Sequence, residues 1–432
     1  MFVWNSKTIS GGLLWMAVVA GTLVGCDRSE ETKKALCSDL GGGAQDCLAV
    51  SPSSAATRDL QRALLEVPSG GIVVLAEGLY EVSETLSLAV DGVTVRGAGI
   101  GKTVLDFSGQ KSGGGGAGVV AKAVRGFTME DVTILNTLGD GVRAEKSSNI
   151  VLRRIEVDWP GELKTDNGLY GVYPIDCQHI LVEGCRLRGA TDAGVYVGES
   201  NFAVIRNNHV YQNVVGIQVE NTYDADVYGN KVDRNSSGIA VFNVPGKLRN
   251  KGGTRVRVFD NEISDNNTEN FGANYYPAGG GIWIIAAQDV EVFDNTIEEH
   301  RTLDLGIFSY DSLNIRHGDP DYLPHSLSVH IHGNRFSPPT PDPDLTRVLG
   351  RLLFSEFRSS IPNVVFDGVG ELPAPDAPTH NPYRICIQES EQTSIATVSD
   401  PPGLDGELSY DCEEPRLPSV ELSPELSAQL SG

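Results

Sequence analysis

The sequence predicts an all-β fold, a single-stranded right-handed parallel β-helix of about ten coils, with an N-terminal capping helix and an irregular C-terminal tail. Three observations predict it. A Gly-apolar-x-apolar tetrad recurs, an apolar-Asn motif recurs in step with it, and no helical periodicity lies between the copies.

The tetrads Gly194-Val195-Tyr196-Val197, Gly216-Ile217-Gln218-Val219, Gly238-Ile239-Ala240-Val241 and Gly281-Ile282-Trp283-Ile284 are copies, and Gly141, Gly171 and Gly306 open further versions. Successive glycines are 30, 23, 22, 22, 43 and 25 residues apart. A period near 22 is a solenoid signature, since one such unit cannot bury its apolar face without a neighbour. The second motif is Val256-x-Val258-x-x-Asn261-x-Ile263, repeated from Ala203, Ala225, Val290 and Val329. Strands this short alternate inward and outward, so stacked coils bury the apolar positions as columns about 4.8 Å apart. Asn208, Asn230, Asn261, Asn295 and Asn334 are then expected to form an amide ladder at one turn.

Exposed solenoid ends need covers. Thr57 to Leu65 reads as a capped amphipathic helix able to plug the first coil, and Ile72 to Leu105 supplies the early coils. The proline-rich run from Pro338 to Pro343 marks a linker or excursion, Arg351 to Val369 a final strand or cap, and residues beyond about 370 a mostly irregular tail. The expected division is a signal segment over 1–25, a tether over 26–56, the β-helix over 57–337 and a C-terminal cap and tail over 338–432. The 43-residue interval implies excursions around 244–253 and 265–280.

At the N-terminus, Lys7 precedes an apolar run from Leu13 to Val24, too short for a comfortable membrane span. Leu23-Val24-Gly25-Cys26 resembles the bacterial lipobox, which implies cleavage before Cys26 and acylation of its thiol. That resemblance places the chain in the bacterial cell envelope, lipid-anchored on the periplasmic side, and Asp27 suggests inner-membrane retention. The competing reading is an uncleaved signal anchor.

The formal charge of −23 is spread along the chain. It argues against nucleic acid, anionic headgroups and simple electrostatic capture of polyuronates. A local basic or calcium-bearing site would override it, so calcium is the cofactor left open. Cys37 and Cys47 could close a Gly-rich loop, and Cys386 and Cys412 could tie the tail. Cys177 and Cys185 flank a strand about 25 Å long, whereas a disulfide needs Cα atoms within about 7 Å; both are expected buried and free.

From about Ile72 to Phe336 the chain resembles the right-handed β-helix class that includes pectate lyases, uronan epimerases and periplasmic accessory proteins. Asn167-Gly168-Leu169-Tyr170-Gly171-Val172-Tyr173-Pro174 resembles, more narrowly, exported parallel β-helix repeat proteins, as do Asp192 to Gly198 and Asp224 to Asn230. That family implies a fold and a location, not a reaction. Tyr170 to Asp176 is also similar to the Tyr-Gly-x-Asp-Pro-His-Asp signature of mannuronan epimerases. Tyr173 stands in place of the first Asp and Ile175 in place of the His, so only Tyr170, Gly171, Pro174 and Asp176 carry over. Abstracting a proton next to a carboxylate needs a neutralising group and a base or acid, so that loss weakens the match. The polygalacturonase signatures (Asp-Asp, Gly-His-Gly, Arg-Ile-Lys) are absent. The groups best placed for any catalysis are Tyr170, Asp176, Asp192 and Glu220, the acids serving as proton-transfer or cation-binding groups.

Strand alternation names the outward residues. The first strand gives a column of Arg143, Tyr173, Tyr196, Gln218, Ala240, Trp283 and Phe308, and a second of Glu145, Ile175, Gly198, Glu220, Phe242, Ile285 and Tyr310. Tyr173, Tyr196, Gln218, Trp283, Phe308 and Tyr310 would offer rings and an amide to a sugar polymer, unless the excursion carrying Tyr275 and Tyr276 covers them. The second strand shows its own aromatic column, Tyr228, Phe259, Phe293 and His332, so ring stacking between coils is itself a sufficient reason for such residues. Asp226, Arg257, Glu291 and His330 read as a surface charge ladder. His330 and His332 share a side and could hold a metal with a loop histidine, His317 or His325. The leading functional expectation is binding or processing of a carbohydrate polymer along one face; the rivals are a scaffold docking another envelope protein and metal delivery.

Overall fold

The regular coils consist of three short strands joined by three tight corners. Ala193–Gly198, Asn201–Arg206 and His209–Tyr211 make one coil, and Val215–Glu220, Tyr223–Tyr228 and Lys231–Asp233 make the next. Successive coils pair in parallel and in register: Val195 lies beside Ile217, Ile205 beside Val227 and Val210 beside Val232. In this computed structural model residues 36–38, 46–111, 116–246, 249–370, 380–399, 408–412 and 414–431 are described. The segment 1–25, Cys26 and Asp27 lie outside them, and among the described residues no helix is long and apolar enough to cross a membrane.

The first strands of the coils form an 11-stranded parallel sheet, here the first face. The second and third strands belong to one 20-stranded sheet, because Arg125–Leu135 and Ser148–Asp158 run unbroken over the corner between those faces. The third strand escaped sequence reading. Its copies are three residues long with one inward apolar side chain (Val210, Val232, Ile263 or Ile297), too short to show alternation. Inside, these columns merge into one core, in which each fully buried aliphatic side chain contributes about 1.5–3 kcal/mol.

The corners explain the asparagines. Asn208, Asn230, Asn261, Asn295 and Asn334 stack at the corner between the second and third faces, each Nδ2 donating to the next Oδ1 at 2.9 Å. Glu389 ends the ladder at Asn334 Nδ2, 2.7 Å away. A second ladder, Asn213, Asn235 and Asn266, fills the corner between the third and first faces. It continues into His300. Cys185 takes the leading place of the first ladder, its N–H donating to Asn208 Oδ1. Cys177 leads a different corner, where its N–H donates to Ser200 Oγ. The two thiols are buried at separate corners and unbonded to each other, and burial pushes both up to about 12. Cys37–Cys47 and Cys386–Cys412 are disulfides, with Cα separations of 6.0 and 5.1 Å.

The β-helix extends past both expected limits. Cys47–Val50 pairs with Ile72–Leu75 ahead of the capping helix, so coil structure begins within the segment read as a tether. That helix spans Ala56–Glu66 and turns Leu60, Ala63 and Leu64 onto the first coil. At the other end Val364–Phe366, Ile385–Gln388 and Ile395–Thr397 add strands well beyond 337. Val364–Phe366 falls in the stretch expected as a final strand or cap, whereas Ile385–Gln388 and Ile395–Thr397 passed for irregular tail, because their predecessors lie far away in sequence and the repeat spacing was broken.

Residues 414–431 are not a free tail. They lie along the second face and end in a helix, Pro424–Ser431, whose Leu426 is buried against Val151, Leu181 and Val204. Val420 N–H donates to Asp226 Oδ2 at 3.1 Å and Leu417 N–H to Glu291 Oε2 at 3.0 Å. The Asp226, Arg257, Glu291 and His330 column is therefore a covered surface rather than a solvated ladder. Asp226 and Arg257 do form a two-bond ion pair at 2.6 and 2.7 Å.

Candidate functional site

The first face divides into a covered and an open half. In the C-terminal half Trp283 and Phe308 are fully buried and Tyr310 nearly so. They share an apolar cluster with Leu349 and Leu353 of the helix Val348–Phe357, with Ile361, and with Tyr276 of the 265–280 excursion. These three rings cannot meet a ligand, and neither can Tyr196 and Gln218, each 5% exposed, which corrects the assignment of all five to sugar binding. The register also corrects their columns. Gly306, not Phe308, lies beside Trp283, and Phe308 falls beside Ile285. The strand from Leu303 enters two residues earlier than its glycine suggests, and a shift of two preserves which side chains point inward.

Tyr170, Tyr173 and Tyr196 gather in the other half. Their ring centroids are 4.5, 4.8 and 4.9 Å apart. Tyr170 opens the strand Tyr170–Ile175 and Tyr173 stands outward on it, while Tyr196 comes from the next coil. The Tyr170 hydroxyl donates to Asp192 Oδ2 at 2.8 Å, and Asn274 of the excursion donates to the other oxygen at 3.1 Å. The Tyr196 hydroxyl donates to Glu220 Oε1 at 2.8 Å, and Gln218 Nε2 donates to Oε2 at 2.9 Å. Arg143 places its guanidinium 5.2 Å from the Tyr173 ring centre and pairs with Asp140 at 2.6 Å. Towards the N-terminal coils the face opens: Tyr173, Arg143 and Glu145 are half-buried and Lys122 is exposed.

Burial sets the electrostatics. It pushes the Glu220 carboxyl up to about 7, against the hydrogen bonds from Tyr196 and Gln218. Burial likewise raises Asp192, against Asn274 and Tyr170, and Asp140, against Arg143. The Tyr173 phenol is pushed up to about 12 by burial and by Asp140, and burial lifts Tyr170 and Tyr196 further. The result is a patch of neutral phenols beside carboxyl groups that hold protons more readily than usual. Such a patch can stack on a ring, exchange hydrogen bonds with hydroxyls and, at Glu220, move a proton near neutral pH.

Among the four acidic or phenolic groups read from sequence as catalytic, Tyr170, Asp192 and Glu220 meet here. Asp176 does not, because six residues of strand carry it about 20 Å from Tyr170 to the next corner. There it pairs with Arg249 and lines a cleft of about 550 Å³ with Asp91, Arg125 and Lys146. Asp140 and Asn274 were missed in the sequence. An acid just ahead of the coil glycine (Asp140 before Gly141, Asp192 before Gly194) was the available signal for the first, whereas nothing in the sequence announces where Asn274 docks.

The four histidines do not come together. His317 lies against Tyr310 and Tyr322 in a loop beside the first face. His325 is buried just ahead of the strand Leu327–His332, on which His330 and His332 face the second-face tail. Among the described residues, the group able to surround an ion is Glu291, His330 and His332, with neither loop histidine. Its donors are two imidazoles and a carboxylate, which suit a transition metal better than the calcium left open by the sequence.

A model of the right handed beta helix region matches residues 117–312. No curated protein matches the chain. Among solved structures, the A-module of mannuronan C-5 epimerase AlgE6 from Azotobacter vinelandii superposes with a TM-score of 0.50 at 17% identity, over 88% of this chain and 99% of that one. The AlgE4 A-module from the same organism gives 0.49 at 19% identity, over 84% and 96%. A polygalacturonase from Erwinia carotovora ssp. carotovora gives 0.48 at 12% identity, over 67% and 92%. Coil stacking, corner ladders and the matched region agree on the architecture: the chain is a right-handed parallel β-helix protein.

Proposed function

We propose that this protein binds a carbohydrate polymer on the open half of its first face, with Tyr170 and Tyr173 as the stacking platform. The observation that carries the reading is the pair of half-buried, stacked rings Tyr170 and Tyr173, resting on the buried Tyr196 and bonded through Tyr170 to the proton-holding Asp192. Rings of this kind pack on the apolar faces of sugars, while Asp192, Glu220 and Arg143 supply bonds to hydroxyl or carboxylate substituents. Among the similar folds, the AlgE6 A-module belongs to a mannuronan C-5 epimerase, which makes polyuronates the first polymers to try. The lipobox-like segment ending at Cys26 supports a membrane-tethered periplasmic location.

Processing of the polymer is a second reading, favoured by Glu220, whose carboxyl near 7 suits a general acid or base. The test is binding and turnover by the soluble chain starting at Asp27, against polyuronates and neutral glycans with and without calcium. Saturable binding supports the first reading, and unsaturated or epimerised products lost in Glu220→Gln support the second. Silence across the panel would refute both. It would favour a docking scaffold, the reading to which the covered C-terminal half of the face already lends itself.

A further inference from the structure

On the second face, away from the tyrosine cluster, three side chains from two neighbouring strands converge under the C-terminal segment. His330 lies beside Glu291 in the sheet, and His332 follows two residues on, so alternation puts all three on the same side. The buried Glu291 and His330 and the 12%-exposed His332 side chain bring one carboxylate oxygen and one ring nitrogen each to within 4.8 Å of one another. Glu291 Oε1 lies 3.0 Å from His332 Nε2, and the two imidazole centroids are 4.3 Å apart. His330 Nε2 lies 3.1 Å from Gln388 Oε1, while its Nδ1 is buried with no partner among the described residues.

We propose that Glu291, His330 and His332 bind a divalent transition-metal ion, zinc by donor chemistry, and that this ion fastens the C-terminal segment to the β-helix. Two imidazoles and one carboxylate are a common three-ligand set for zinc, leaving a fourth position for water or a neighbouring oxygen. Ligands of a tetrahedral zinc stand about 3.4 Å apart, so small side-chain rotations close the present spacing without moving the strands. Calcium is disfavoured, because it prefers six to eight oxygens. A buried carboxylate needs compensating charge. The nearby Arg257 is already engaged by Asp226 in two bonds.

The link to the tail is Glu291 itself. Its Oε2 accepts the Leu417 N–H at 3.0 Å, so an ion that fixes the carboxylate also fixes residue 417. The Arg416 guanidinium stacks 5.7 Å from the Phe293 ring centre at the same place. Cys386, whose disulfide to Cys412 anchors the chain just ahead of the segment, is the next sheet neighbour of His330.

The test uses the soluble chain from Asp27 through Gly432, without a histidine tag, stripped with chelator and titrated with zinc chloride by calorimetry. Cobalt chloride gives a parallel optical readout, and limited proteolysis follows the segment after residue 413. One ion per chain, a tetrahedral cobalt spectrum and slower tail cleavage with zinc are expected. His332→Ala and Glu291→Gln should each weaken binding by roughly tenfold or more, since even losing an outer-shell partner costs that much. His332→Gln is the milder variant should His332→Ala fail to fold, and His317→Ala should bind as the parent does. Absence of binding, or binding indifferent to the Glu291 and His332 variants, overturns the site. Binding at these residues with tail cleavage unchanged overturns the fastening.

Discussion

Tyr196 lays its ring across Gly198 and delivers its hydroxyl to Glu220 Oε1 on the next coil at 2.8 Å. A Cβ on Gly198 would stand 2.3 Å from Tyr196 Cε1 and 2.6 Å from its hydroxyl, so the absence of a side chain there is what lets the phenol lie flat and reach across. Gly198→Ala is therefore expected to expel the ring and cost about 1–3 kcal/mol in urea denaturation. It should also raise the Glu220 carboxyl above its value in the parent, because the Tyr196 hydrogen bond is what lowers it; carbon-detected NMR titration reads this directly.

Glu220 gives stability a definite pH dependence. Its carboxyl sits at about 7 in the folded chain against an ordinary 4.5, so the folded state binds that proton more tightly. Its contribution is intact below about 4.5, declines as pH rises through 7, and is flat above, a difference of at most about 3 kcal/mol. Relative to the parent, Glu220→Gln should gain stability between pH 5 and pH 8, as measured by urea midpoints at matched ionic strength. Asp140 and Asp192 are raised too and shift the parent in the same sense, so the difference between the two proteins is the quantity to follow.

Asn261 occupies the middle of its ladder. Its Oδ1 accepts from both the backbone N–H and the side chain of Asn230, and its Nδ2 donates to Val227 O and Asn295 Oδ1. Asn261→Ala strands several buried groups and should cost at least about 2–3 kcal/mol in the same denaturation experiment. Asn334, at the end of the ladder, has Glu389 as a remaining partner and should cost less.

The coil scaffold was legible because its signals are local and repeated. The tetrads fix which side chains point inward, and the ladder asparagines recur at a fixed offset from the apolar pairs. Where a signal is not repeated, reading failed. Gly306 looked like another tetrad glycine although its strand begins at Leu303, and the second ladder was hidden because the excursion after Asn266 removes it from the usual spacing before Gly281. The site was half legible for the same reason. Tyr170, Asp192 and Glu220 follow from coil register, whereas the burial of Trp283 and Phe308 depends on where Leu349 and Leu353 dock, a long-range packing choice that no local pattern records.

The tail offers a local test of that kind of packing. Leu426 is fully buried against the second face, so Leu426→Asp should release residues 414–431. Protease cleavage after residue 413 should accelerate on the order of tenfold while the coils keep their melting temperature within a few degrees, since local opening does not require global unfolding. Equal loss of both would show the tail to be part of the cooperative core.

Glycan affinity of the folded Tyr173→Ala and Tyr211→Ala variants, measured beside the parent chain, tests the central claim most directly. Tyr173 belongs to the open cluster, whereas Tyr211 stacks on His209 on the third face. The account predicts that Tyr173→Ala weakens binding by about tenfold or more, roughly 1.4 kcal/mol, and that Tyr211→Ala leaves it unchanged. Equal loss in both variants, or binding undisturbed by Tyr173→Ala, would contradict it.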